Sequence, residues 1–152
     1  MTVDARLAAL ARFMTEEIPF NRFYGLRVEA IEPGSCLLRL PWQAHMIGDP
    51  FRPAVHGGVI SALIDNSGGL AVFSTFTRDS ERCSTIDLRV DYLGPGPTSA
   101  DLVCEARIIR RGRRVAVTRM EVWSESRPAP DEDRPPFAIG QATYSIFAAG
   151  SE

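Results

Sequence analysis

The segment from His56 to about Phe76 constrains the fold of this chain more than any other. Val59, Ile60, Ala62, Leu63, Ile64, Leu70, Ala71, Val72 and Phe73 surround most of a helix at 3.6 residues per turn. A helix that is apolar on most sides has to be enclosed by the rest of the protein. About 20 helical residues span ~30 Å, which sets the width of whatever covers them. Gly68-Gly69 lies inside this segment, and each glycine costs a helix about 1 kcal/mol relative to alanine. The pair predicts close approach of another backbone at that point.

The remaining sequence supplies the cover. Residues 4–14 read as a short amphipathic helix with Leu7, Leu10, Ala11 and Met14 on one face, and Pro19 ends that region. Tyr24–Ala30 alternates, with Leu26, Val28 and Ala30 on one side. Pro33-Gly34 is a turn, and Ser35–Leu40 completes a hairpin. Residues 43–54 form a polar loop containing Gly48, Pro50 and Pro53. Four strands follow the long helix: Cys83–Leu93, Ala100–Arg110, Val115–Glu125 and Phe137–Phe147. Gly94-Pro95-Gly96-Pro97 separates the first two, and Arg111-Gly112-Arg113-Arg114 turns the second into the third. The order predicts an α+β class, an antiparallel β-sheet wrapped around a long central helix, as one domain over residues 1–152.

Bulk properties exclude several functions. The net charge of −2 gives no case for a nucleic-acid partner, and no run of 18 apolar residues predicts a membrane span. All 17 basic residues are arginine, which removes Schiff-base and P-loop lysine chemistry. Cys36, Cys83 and Cys104 are far apart with no CxxC spacing, so buried free thiols and a reducing, cytoplasmic setting are expected. Leu7–Phe13 is interrupted by Arg12 and is too short for a signal sequence. His45 has no cysteine or carboxylate at ligand spacing, so no metal site is expected.

His56-Gly57-Gly58 opens the buried helix. A first turn offers free N–H groups and the positive end of the dipole, and glycine lets another molecule approach the backbone. Such a turn can hold a polarised carbonyl oxygen, or it can be only a crowded helix start capped by histidine. Asp65 lies further along, between Ile64 and the polar pair Asn66-Ser67. It is either part of an exposed polar stripe or a carboxylate acting as nucleophile or general base. Gly57 and Asp65 are eight residues apart, roughly 12 Å along one helix. An attacked carbonyl needs both within about 3 Å of its oxygen and carbon. If both act on one substrate, they come from different subunits, which predicts an isologous homodimer with antiparallel helices.

The run His56-Gly57-Gly58-Val59-Ile60-Ser61-Ala62-Leu63-Ile64-Asp65-Asn66 resembles the motif of hotdog-fold thioesterases of the PaaI-like (phenylacetyl-CoA thioesterase-like) branch. Ser84–Leu93 followed by Gly-Pro is similar to a strand of the same family, and the likeness covers roughly residues 20–148. It implies hydrolysis of acyl- or aryl-CoA thioesters, with no cofactor or metal, in a homodimer or a dimer of dimers (homotetramer). Asp65 would attack the carbonyl or activate water, the Gly57 N–H would hold the oxyanion, and His56 would position the thioester. Thr85 would orient the nucleophile or its water, with Ser84 the alternative one residue earlier. Gly58 and Asn66 join the substrate-binding set. Many family members carry asparagine six residues before the histidine. Here that position is Pro50, and the adjacent Asp49 either takes the part or is a turn residue. Arg110-Arg111-Gly112-Arg113-Arg114 is either a solvated hairpin turn or, through Arg111, Gly112 and Arg113, a clamp for coenzyme A phosphates. The competing reading is a non-catalytic hotdog protein that binds acyl-CoA.

Overall fold

The computed structural model describes residues 2–51 and 53–148. Helix α1 spans Val3–Arg12, capped by Thr2, and runs into a π-helical turn at Phe13–Glu17. Helix α2 spans Pro19–Tyr24. Strands β1 (Arg27–Glu32) and β2 (Ser35–Leu40) form the hairpin. Helix α3 spans Gly57–Phe73, and strands β3 (Glu81–Tyr92), β4 (Leu102–Arg111), β5 (Val115–Ser124) and β6 (Ala138–Ala148) follow. The six strands form one antiparallel sheet in the order β1-β2-β4-β5-β6-β3.

The sheet curls around α3, which packs against β2, β3, β4, β5 and β6. Ile60, Leu63, Ile64, Leu70, Ala71 and Val72 of the helix are buried against Leu38, Leu102, Ala106, Met120, Val122 and Ala142. This is the hotdog arrangement expected from the all-round apolar helix. The close approach expected at Gly68-Gly69 occurs at Gly68 and comes from side chains. A Cβ at Gly68 would collide with the Tyr144 hydroxyl and lie 2.9 Å from Thr118 Oγ1, whereas one at Gly69 would meet nothing nearer than 3.7 Å.

The N-terminal part departs from expectation. The first helical run stops at Glu17, just ahead of Pro19, and Pro19 also opens a second helix, because proline is tolerated at a first helical position, where its missing N–H has no intrahelical role. Tyr24 therefore belongs to α2, not to the first strand. In β1 the inward face is Val28 and Ile31, not Val28 and Ala30. A bulge between Val28 and Ala30 shifts the alternation by one residue. The four later strands fall within two residues of their expected limits. Among the described residues no helix is long and apolar enough to cross a membrane.

Candidate active site

Asp65 sits midway along α3 and is half-buried. Its Oδ1 accepts a hydrogen bond from Thr85 Oγ1 at 2.8 Å and one from the Tyr144 hydroxyl at 3.3 Å. The same hydroxyl donates to the Asp65 backbone carbonyl at 2.9 Å. Among the described residues Oδ2 has no hydrogen-bond partner. The carboxylate borders a cavity of about 170 Å³, shared with Asn66, Ser84, Thr85 and Tyr144. Asp65-Asn66-Ser67 is therefore not an exposed stripe. Ser67 is fully buried and donates to the Leu63 carbonyl at 2.8 Å.

The partners come from local strand chemistry. Thr85 and Tyr144 stand opposite each other on β3 and β6. The register shifts between Thr85 and Asp87, so Ile86 is the extra residue of a bulge. Of the two hydroxyl candidates, Thr85 reaches Asp65, while Ser84 only borders the cavity. Tyr144 was not anticipated. Its signal was available: a polar-tipped aromatic on the inward phase of a strand needs a partner. Burial first, then the adjacent Asp65 charge, pushes its phenol well above the ordinary range. Burial and Asp65 likewise push the Cys83 thiol up to about 12.

The N-terminal end of α3 is a second centre. His56 is its N-cap, and its Nδ1 accepts from Gly58 N–H at 2.9 Å. An Nδ1 that accepts leaves the ring proton on Nε2. Gly57 N–H has no acceptor among the described residues, as the geometry of a first turn allows. The Tyr92 hydroxyl, also unanticipated, donates to the Gly57 carbonyl at 2.8 Å and lies 2.7 Å from Ser61 Oγ. The preceding loop is folded back on itself. His56 N–H donates to the Met46 carbonyl at 2.7 Å, and Gly48 N–H to the Ala54 carbonyl at 2.9 Å. Gly48 is required there, because a Cβ would lie 2.7 Å from His56 Cα.

Asp49 accepts from the Phe51 N–H at 2.9 Å through Oδ1, which is turn chemistry. Arg111 lies at the opposite end of α3. Its Nε donates to Thr75 Oγ1 at 2.8 Å, and its guanidinium pairs with Glu81 at 3.5 Å. Gly112 N–H closes the turn on the Val115 carbonyl at 2.7 Å, and Arg113 is exposed. Within one chain, then, Asp65 and Thr85 meet. His56, Gly57 and Gly58 form a separate group, and the arginine turn a third. Among the described residues only Asn66 borders both the Asp65 cavity and the one beside His56. Its Nδ2 donates to the Ala62 carbonyl at 2.8 Å. Among the described residues no three His, Cys, Asp or Glu side chains converge as metal ligands do.

A central helix wrapped by one antiparallel sheet, with an N-terminal glycine turn and a hydrogen-bonded carboxylate, defines a hotdog-fold hydrolase. The thioesterase superfamily pattern matches residues 53–130. The medium/long-chain acyl-CoA thioesterase YigI of Salmonella typhimurium is 33% identical, over 96% of this chain and 97% of its own length. A Shewanella oneidensis protein related to the thioesterase superfamily superposes with a TM-score of 0.78 at 28% identity, over 94% of this chain and 96% of its own. The Escherichia coli PaaI protein from the phenylacetic acid degradation operon shares the fold, with a TM-score of 0.80 at 16% identity over 97% and 98% of the two chains. The chain belongs to the thioesterase superfamily, as a hotdog-fold thioester hydrolase.

Proposed function

We propose that this enzyme hydrolyses acyl-CoA thioesters to the free acid and coenzyme A. The observation that carries the reading is the Asp65 carboxylate. One oxygen is fixed by Thr85 and Tyr144, and the other has no hydrogen bond among the described residues, beside a cavity along a largely apolar helix. A half-buried carboxylate held on one side only is suited to attack a carbonyl carbon or take a proton from water. Similarity to a medium/long-chain acyl-CoA thioesterase supports coenzyme A as the leaving group.

In this mechanism the thioester oxygen lies at the Gly57 N–H, at the positive end of α3, and negative charge collects there as the carbonyl is attacked. His56 presents its Nε2–H to the thioester end, while Gly58 holds the ring through Nδ1. Thr85 and Tyr144 fix the reacting carboxylate. The tetrahedral intermediate expels the coenzyme A thiolate, which takes up a proton. If Asp65 is the nucleophile, water then cleaves the acyl-aspartate. No cofactor or metal enters these steps.

The roughly 12 Å between Gly57 and Asp65 along α3 favours a reading in which the two residues of one chain serve different sites. A two-fold homodimer with antiparallel central helices joins one protomer's Gly57 to its partner's Asp65. Strand β3 supports that assembly. It ends the sheet with one unpaired edge and carries Ile86 at 61% exposure, and such edges invite pairing with another chain. A dimer of dimers would repeat the same sites. At the nucleotide end, Arg113 is an exposed guanidinium suited to phosphate, with Arg111 and Gly112 setting the turn that presents it.

Asp65→Ala tests the reading. Thiol release from acyl-CoA should fall by at least about a hundredfold, the lower range for losing an acid–base group, with the assembly still folded. Full activity overturns the assignment. A heterodimer of Asp65→Ala with Gly57→Val should recover one intact site of two. No recovery in a verified heterodimer overturns the shared site.

A further inference from the structure

Tyr92 ends β3 beside the first turn of α3 and has no part in the steps proposed for Asp65, Gly57 and His56. The end of the strand is pinned. Tyr92 pairs with Ala138 of β6, and the N–H groups of Leu93 and Gly94 both donate to the Phe137 carbonyl, at 2.8 and 3.1 Å. From there the ring reaches the helix. A Cβ at Gly57 would lie 3.2 Å from the Tyr92 hydroxyl and 3.3 Å from its Cζ. The open side of Gly57 therefore admits this phenol.

The direction of each proton follows from the groups. The Gly57 carbonyl can only accept, so the Tyr92 hydroxyl donates to it at 2.8 Å. With its single proton committed, the phenol oxygen accepts from Ser61 Oγ at 2.7 Å. The Gly57 carbonyl and the Gly58 N–H belong to one planar trans peptide and point in opposite directions. That N–H donates to His56 Nδ1 at 2.9 Å. Together they form one directed chain, from Ser61 O–H to Tyr92 O–H to the Gly57 carbonyl, and across the peptide from Gly58 N–H to the ring. Hydrogen bonds linked in series polarise one another, so a donor on the carbonyl strengthens the N–H as a donor.

We propose that Tyr92 is a positioning residue, which acts through the Gly57–Gly58 peptide to hold the His56 ring in one orientation with its proton on Nε2. The role rests on the thioesterase reading, in which that proton faces the thioester, and adds Tyr92 to it with Ser61 behind. His56 is exposed, so no packing immobilises its ring. Among the described residues the ring has no other hydrogen bond, and the Gly58 N–H alone sets its tautomer. Anchoring the carbonyl fixes where that N–H points, because the peptide turns as one plane.

The tautomer can be read directly. Long-range 1H–15N spectra at about pH 8.5, above the ordinary histidine range, should show His56 as the single Nε2–H form, and His45 is the only other histidine. Tyr92→Phe removes the hydroxyl and keeps the ring over Gly57. It should bring in the Nδ1–H form of His56. It should also lower kcat about two- to tenfold, the worth of one neutral hydrogen bond. KM should change less, because the groups that Tyr92 steadies meet charge that develops only during the reaction. A Tyr92→Phe protein whose His56 keeps the wild-type pattern overturns the proposal, whatever its activity. Ser61→Ala leaves the phenol in place and favours the helix, which keeps the test open should Tyr92→Phe not fold. It should shift the His56 pattern in the same sense by a smaller amount, and an unchanged pattern there again overturns the proposal. A shifted tautomer in a protein that cleaves no acyl-CoA supports the hydrogen-bond chain, and the thioesterase reading alone then fails.

Discussion

Thr85 Oγ1 donates a 2.8 Å hydrogen bond to Asp65 Oδ1, across the gap between an edge strand and the central helix. Twenty residues separate the two in sequence. Their contact depends on the bulge at Ile86, which sets Thr85 opposite Tyr144 and Asp87 opposite Thr143.

Removing that donor should weaken the reaction without unfolding the protein. Thr85→Val deletes one hydrogen bond to a charged group, worth about 1.5–3 kcal/mol, so kcat/KM should fall roughly ten- to a hundredfold. Thr85→Ser should restore most of it. Steady-state kinetics of both variants decide the matter, and an inactive serine variant would show that the methyl group matters instead.

The two adjacent glycines of α3 should respond in opposite senses. Gly68→Ala gains about 1 kcal/mol of helix propensity, but its Cβ collides with the Tyr144 hydroxyl and crowds Thr118 and Met120. Overpacking of this kind costs typically 1–3 kcal/mol, so the variant should be less stable, and a displaced Tyr144 should also lower activity. Gly69→Ala meets only ordinary contact at 3.7 Å and should be neutral or stabilising. Urea titrations of the pair check this.

His56 combines a cap and a ring donor, and substitution can separate them. Asparagine is a good N-cap, whereas alanine is not. His56→Ala should lose about 0.5–2 kcal/mol of stability together with activity. His56→Asn should keep its stability and still lose activity, because the ring Nε2–H is gone. Thermal melts alongside kcat/KM measure both. An active asparagine variant would reduce His56 to a cap.

Stability should fall in alkali. Burial pushes the Cys104 thiol up to about 12 in the folded chain, and raises Cys36, Cys83 and Tyr144 as well. An unfolded thiol ionises near 8.5. A raised folded value leaves the contribution fully present below about pH 8.5 and removes it as the pH climbs toward 12, because only the unfolded chain then releases the proton. For the fully buried Cys104 the slope approaches about 1.4 kcal/mol per pH unit. Urea midpoints at pH 8 and pH 10.5 test the sign, and Cys104→Ala should flatten the decline. The same burial should keep Cys36 and Cys104 unalkylated until the chain unfolds.

Local patterns determined much of this protein. The all-round apolar run from Val59 to Phe73 required an enclosing layer, and the alternating segments after residue 80 could only be that layer. The glycine turn at the head of the helix and Asp65 within it were legible as chemistry, because a polar group in an apolar helix needs a reason. The roughly 12 Å spacing along one helix even argued for two subunits.

Tertiary structure decided what depends on register and on distant partners. Whether β1 buries Ala30 or Ile31, and whether Thr85 or Ser84 meets Asp65, follows from bulges that only a pairing strand defines. Tyr144 reaches Asp65 because β6 crosses α3 at Gly68, a contact 79 residues apart in sequence. Arg111 is held by Thr75 and Glu81 because the β4–β5 turn comes back to the end of α3. Sequence periodicity reports which side of an element is apolar. It carries no information about which residue of another element arrives opposite, and in this protein that arrival selects the hydroxyls that hold the carboxylate.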